Sequence, residues 1–275
     1  MAAGNFASSA DPRRNIVGRM RAALAHLGSI VWLLVDTVRE MGDHLRRGKA
    51  PIRMSAFLAQ TDRAGVGSVP LVALVSFFLG LTMALLTGYQ LAKFGQEAMV
   101  PGLVAIGFTR ELGPLITGIM VAARVGAAFT AEIGTMVVGE EVEALEGMGL
   151  GARRFLVGPR LLAVTLLTPC LVVISNVAAM VGASFICKMQ FNLSFLSYWQ
   201  LVMESLVFRD IVAGTVKSVV FGLLVGLIAC YKGMAGRGGA AGVGSSTTDS
   251  VVQAIVTVLG VDTLINIVLV ALFES

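Results

Sequence analysis

Four charged side chains interrupt an apolar run: Arg110, Glu111, Arg124 and Glu132 fall within RELGPLITGIMVAARVGAAFTAEIGTM, residues 110–136. A charge deep in hydrocarbon costs a few kcal/mol even on lenient insertion scales, about 2.5–3.5. Such groups therefore face a bundle interior or a wet cavity, and there they mark a substrate path, an ion relay or a structural ion pair. Arg110 and Glu111 lie roughly nine residues inside their apolar block, about 13 Å deep at 1.5 Å per residue. A guanidinium at that depth can grip a phosphate or carboxylate through two hydrogen bonds. Neighbours at i and i+1 do not face each other on a helix, so Arg110 and Glu111 each need a partner of their own. Lys217 and Asp262, both inside later apolar blocks, are the available candidates. Glu111, Lys217 and Asp262 together also have the composition of a proton relay, which would suit an ion-coupled carrier.

Other chemistry is poorly supported. Cys170, Cys187 and Cys230 stand singly in apolar segments, and His26 and His44 are isolated. No metal-ligand cluster, paired histidine or Gly-x-Ser-x-Gly is present, which argues against an intramembrane enzyme. The Gly-rich stretch 232–249 lacks Gly-Lys-Ser/Thr, so it is no phosphate-cradling Walker loop, and it reads as a turn whose Ser and Thr cap the next helix. The expectation is no catalytic residue, no metal and no cofactor in this chain. ATP and Mg, if used, belong to a partner.

The elements that must position these residues follow from composition. Of the 275 residues, 56% are hydrophobic and 14% charged, against about 25% charged in a soluble domain. Apolar residues come in five blocks, near 69–91, 102–129, 161–187, 211–231 and 251–273, each near the 20 or so needed to span a bilayer. The fold class is an all-α membrane protein. Residues 64–275 form a five-helix transmembrane domain. Residues 1–63 form an N-terminal region whose apolar positions, from Ile16 to Leu45, repeat at three-and-four spacing among Arg, His, Asp and Glu. That pattern fits a helix lying in the membrane interface, or one packed on another subunit. Ten of the 21 Lys and Arg precede residue 64. Beside membrane spans this points to an anionic lipid surface and a cytoplasmic N-terminus, with no role for nucleic acid. Five spans then place the C-terminus outside. Residues 1–15 lack the apolar core of a secretory signal.

Within the second block, Pro114 removes the backbone bond to Arg110 and weakens the helix beside its charge. Gly118 begins a small-residue face, with Ala122, Gly126 and Ala127, that permits close helix approach. Beyond Phe129 the character changes. Glu132, Glu140, Glu141, Glu143 and Glu146 accompany Ile133, Met136, Val137, Leu145 and Met148 at helical spacing. This predicts an acidic amphipathic helix over about 131–150 on the cytoplasmic side. Anionic lipid repels such a helix, so it is either a docking surface for protein or a solvated face.

The run RELGPLITGIMVAARVGAAFTAEIGTM, continuing through EEVEALEGMG and PRLLA, resembles the signature of the MlaE (YrbE-type) permease family of lipid-transporting ABC transporters. SVVFGLLVGLIACYKG and GVGSSTTDSVV extend the likeness, which covers roughly residues 55–273. One departure is Ser245 and Asp249, where the family usually carries basic residues. The resemblance implies a homodimer in the bacterial inner membrane. It implies a cytoplasmic ABC ATPase seated against a coupling helix, a periplasmic MCE-domain protein and a small STAS-domain protein. The cargo would be phospholipid or a related lipid. Substrate-binding positions would be Arg110, Glu111 and Leu112, with Leu91 and Phe94 nearby. ATPase-docking positions would be Glu132, Glu140, Glu141, Glu143, Leu145 and Met148. Arg124, Pro114, Gly118 and Asp262 would be structural. In this reading Glu111 balances Arg110 or fixes its rotamer, and Arg124 and Glu132, eight residues apart, anchor the start of the coupling helix, a gap their long side chains nearly bridge. An ion-coupled carrier and a non-transporting membrane scaffold remain the alternatives.

Overall fold

A computed structural model describes residues 28, 32, 33, 35–37, 39, 54–149, 151 and 153–273. Every regular element among them is helical. Most of the expected interfacial helix, 16–49, lies outside the described residues. Within it Trp32, Leu33, Val35, Asp36, Thr37 and Arg39 are helical, with Trp32 exposed and Leu33 and Thr37 buried.

Helix α1 (Met54–Thr61) leads through a π-turn (Asp62–Val66) into α2 (Val69–Ala92). Pro70 sits in the first turn of α2, where its missing N–H costs nothing. Gly95, at φ 64°, turns the chain into α3 (Glu97–Val138). A reversal at Gly139 and Glu140, the latter at φ 57°, precedes the short α4 (Glu141–Gly147). A further π-turn (Arg153–Val157) opens α5 (Gly158–Phe191), which continues through Pro169 and ends at Asn192 in the left-handed conformation. Ser194 then caps α6 (Phe195–Ser205) by accepting the Ser197 N–H at 3.1 Å. Helix α7 (Phe208–Ala235) and helix α8 (Gly239–Phe273) complete the chain. Five helical stretches, containing α2, α3, α5, α7 and α8, are long and apolar enough to cross a bilayer.

Two expectations about boundaries change. The acidic segment 131–150 is not one helix: residues through Val138 prolong the second span, and only Glu141–Gly147 forms a separate helix. Gly139 and Glu140 break it, because the left-handed backbone at Glu140 cannot belong to a right-handed helix. The Gly-rich stretch is likewise mostly helical. Helix α8 begins at Gly239, leaving a short turn around Gly236–Gly238. Its Ser and Thr do not cap. Thr247 and Thr248 donate back to the carbonyls of Val243 and Gly244, four residues earlier, which satisfies hydroxyls inside a helix entering lipid.

Burial of apolar surface does not drive helices together in lipid; close packing and interhelical hydrogen bonds do. Accordingly α2 meets α5 through small residues. Gly80 faces the Ala179 carbonyl and Gly182 the Phe77 carbonyl, so close that a Cβ at either would collide with backbone. The Ser76 and Ser175 hydroxyls bond at 2.7 Å in the same seam. The central core joins α2, α3, α5, α7 and α8 through Val72, Val121, Phe129, Leu171, Phe221, Val225 and Val258. A second cluster packs α6 over the end of α2, the start of α3 and the end of α5. Helix α8 leaves much apolar surface uncovered, with Val252, Val256, Leu264, Ile267 and Val268 all exposed.

Candidate functional site

The second span is not a uniform α-helix. Segments Val100–Gly107, Gly113–Val121 and Ala127–Val138 are joined by π-turns at Phe108–Leu112 and Ala122–Gly126. The first π-turn carries Arg110, Glu111 and Leu112; the second carries Arg124. Pro114 explains the first. It cannot donate to Arg110, and the Gly113 N–H reaches back five residues to the Phe108 carbonyl. Gly113 is required there too, because Asn176 Oδ1 of α5 fills the space a Cβ would need. The extra residue in the turn rotates Arg110 and Glu111 relative to the helix on either side.

Glu111 points to α7 and α8. Lys217, wholly buried in α7, donates to Glu111 Oε1 at 2.7 Å and to Asn266 Oδ1 of α8 at 2.6 Å. Its Nζ also lies 3.1 Å from Asp262 Oδ1. An ammonium has three donors and no acceptor, and here its three close neighbours are all oxygens. The Glu111 side chain keeps 36% exposure against 11% for Asp262, so the cluster is closed on the Lys217 side and open on the Glu111 side. Glu111 therefore balances Lys217, and the expectation that it balances Arg110 is corrected. Spacing already argued that i and i+1 residues look in different directions.

Arg110 is half-buried. Its guanidinium has neither an ion pair nor a hydrogen bond among the described residues. With Lys217 it makes two formal positive charges against two negative ones, Glu111 and Asp262. Leu112 follows on the same turn, half-buried. Leu91 packs with Val100 and Val104 at the start of α3, and Phe94 is exposed beyond α2. Arg110 is six residues past Val104 in sequence, about 9 Å further along the span. Leu91 and Phe94 thus lie toward the start of that span and away from Arg110. Gly118 approaches Phe221 and Val258, where it admits α7 and α8 close to α3.

At the α4 end of the span, Glu132 pairs with Arg160 of α5 at 3.0 Å. This corrects the pairing of Glu132 with Arg124. Arg124 is exposed on the second π-turn and makes no ion pair among the described residues. The eight-residue spacing placed the two charges near one face, but a buried cation from the next span reached Glu132 first. Beyond it, Glu140, Glu141, Glu143 and Met148 are exposed and Leu145 is half-buried, so α4 offers an acidic surface that nothing in the described chain covers. Asn266 and Arg160 were not singled out by the sequence. Asn266 stands four residues after Asp262, on the same helical face, which was a usable signal. Arg160 carried none beyond its position at a span boundary. Among the described residues no cluster of His, Cys, Asp or Glu has metal-binding geometry.

Comparison with known proteins places this arrangement. Residues 57–268 match the family model described as Permease MlaE. A probable ABC transporter permease protein of Rickettsia typhi is 36% identical over 211 residues, covering 77% of this chain and 82% of that protein. A similar permease of Synechocystis is 31% identical over 215 residues, covering 78% of this chain and 81% of the relative. The chloroplastic protein TRIGALACTOSYLDIACYLGLYCEROL 1 of Arabidopsis thaliana is 33% identical over 218 residues, covering 79% of this chain and 62% of that protein.

Proposed function

The chain belongs to the MlaE permease family, and from that premise we propose that it moves phospholipid or a related lipid between the bacterial inner membrane and a periplasmic MCE carrier. It is an ABC transporter permease, a multi-pass membrane protein. ATP and Mg would be bound by a separate ATPase, and a periplasmic MCE-domain protein would exchange lipid at the outer end. A STAS-domain protein would sit on the ATPase. Two copies of the chain would meet through apolar surface such as that left uncovered on α8.

The observation that carries the lipid reading is Arg110. It is a cation deep in a span, half-buried and without a protein partner among the described residues, while its neighbours Glu111, Lys217 and Asp262 satisfy one another. An amphiphile with an anionic headgroup supplies the missing charge, and the apolar outer ends of α2 and α3 accommodate its chains. A relative named for a galactolipid, trigalactosyldiacylglycerol, supports a lipid cargo. Switching between an ATP-driven and a resting state can move lipid only if the two states bind it differently.

The test is purification of the tagged protein from its native membrane in mild detergent, with mass spectrometry of proteins and retained lipids. An ATPase and an MCE-domain protein in fixed ratio, with one lipid class enriched, is the expected result. The chain alone with bulk lipid, under several detergents, would overturn it. Replacing Glu140 and Glu141 together with lysine is expected to cut ATPase recovery in that purification about tenfold or more, as juxtaposed like charges cost several kcal/mol at an interface. Unchanged recovery would remove α4 as the docking surface. The Glu111–Lys217–Asp262 cluster motivates a second reading, an ion-coupled carrier. Lipid flux that survives loss of the ATPase and collapses with the proton gradient would favour it.

A further inference from the structure

We propose that Glu132 and Arg160 form a clasp across the base of the α4 excursion, so that a push on α4 moves α3 and α5 as one body. This rests on the reading of the chain as a permease driven by a separate ATPase.

Helix α4 has no buried residue, and its main contacts are with the end of α3. Load applied to it enters the membrane domain by two covalent routes, back through Gly139 into α3 and forward through residues 151–157 into α5. Neither route is continuous α-helix. The first contains a left-handed reversal, the second a π-turn. The Arg160–Glu132 pair joins the two routes on the membrane side of those interruptions, between residues 28 apart in sequence.

One guanidinium does the joining. Arg160 Nη2 donates to Glu132 Oε2 at 3.0 Å, and Nη1 donates to the Leu156 carbonyl at 3.0 Å, inside the π-turn. Its Cζ stands 5.9 Å above the Phe129 ring of α3. The residue is 7% exposed. Ile133, Val157 and Cys230 pack together at the same end. Two residues before Glu132, Thr130 Oγ1 lies 3.1 Å from the Ala229 carbonyl of α7 and 2.9 Å from Ser250 Oγ of α8. The end of α3 is thereby tied to α5, α7 and α8 within a single turn. A planar guanidinium with fixed donor directions holds an angle as well as a distance, which apolar contact does not. Glu132→Gln leaves the buried Arg160 cation without its counter-ion, but the amide oxygen can still accept from Nη2 and Nη1 keeps the Leu156 carbonyl. In this proposal Glu132 acts through Arg160 of α5 and not at the ATPase surface, which is left to Glu140, Glu141, Glu143, Leu145 and Met148; Glu132 and Arg160 are positioning residues, with no direct contact to lipid or nucleotide.

The experiment uses the intact complex in phospholipid vesicles, reading ATP turnover and lipid transfer from the same sample. The variants are Glu132→Gln, which keeps shape and loses charge, and Arg160→Lys, which keeps charge and loses the fork. Expected for both is normal ATPase recovery, ATP turnover near wild type, and transfer per ATP lowered about five- to a hundredfold, the usual range of an intersite coupling. A transfer-to-ATP ratio equal to wild type in a monodisperse Glu132→Gln complex would overturn the clasp. A merely structural role would lower ATPase recovery, turnover and transfer in parallel, and that outcome overturns it too. Wild-type complex without ATP-driven transfer would instead sink the permease reading beneath it.

Discussion

Lys217→Met is expected to destabilise the protein by about 3–5 kcal/mol, the usual cost of removing one partner from a buried ion pair. Lys217 is wholly buried and is the shared partner of Glu111, Asp262 and Asn266. Methionine fills the space but abandons two carboxylates in a low-dielectric bundle, and the helices that carry them, α3 and α8, lose their common contact. The yield of monodisperse protein in detergent and its thermal midpoint would report the loss. The control is charge-balanced. Adding Glu111→Gln and Asp262→Asn to Lys217→Met should recover most of the stability, because a cluster replaced as a whole leaves no unpaired charge. Full stability in the single variant would show that the two carboxylates are neutral or hydrated without Lys217. Failure of the triple variant to recover would assign the loss to packing instead.

Arg110→Ala should behave in the opposite way. No protein partner among the described residues depends on Arg110, so the complex should assemble and its thermal midpoint should hold. Lipid transfer should fall about ten- to a hundredfold. A hydrogen bond to a charged group is worth about 1.5–3 kcal/mol, and each 1.4 kcal/mol is roughly tenfold. Arg110→Lys should recover part of the activity, since a lysine keeps the charge and loses the bidentate fork. Transfer in reconstituted vesicles at wild-type rate by Arg110→Ala would end the headgroup role. A large fall in stability would reassign Arg110 to a structural pairing. Together the two variants separate a group that holds the bundle from a group that meets cargo, although both are cations at similar depth.

Much of the architecture was legible in the chain. Five apolar blocks became five long helices, because in hydrocarbon a helix is the simplest way to satisfy every backbone N–H and C=O within one segment. The ends of those helices were less legible. Span composition says where lipid begins, not where a helix stops, so α3 ran on to Val138 and α8 began at Gly239 in a stretch that glycine content had marked as a turn. The π-turns were signalled only indirectly. Pro114 announced a missing backbone bond beside Arg110, but nothing local announced the turn around Arg124.

The sequence by itself determined that charges sit inside spans and that each must find a partner or a purpose. The reason is local: the cost of a bare charge in lipid depends on depth alone. It also determined the candidates, since few opposite charges lay in other spans. Only the tertiary structure decided who pairs with whom. Glu111 went to Lys217 and Asp262 rather than to Arg110, and Glu132 went to Arg160 rather than to Arg124. Pairing depends on the rotation of each helix about its axis. That rotation is set by Gly80, Gly182 and Gly214 where backbones touch, and by a π-turn that adds a residue to one revolution. These contacts join residues distant in sequence, and the identity of Arg110 as the deep cation left over emerges only after they are made.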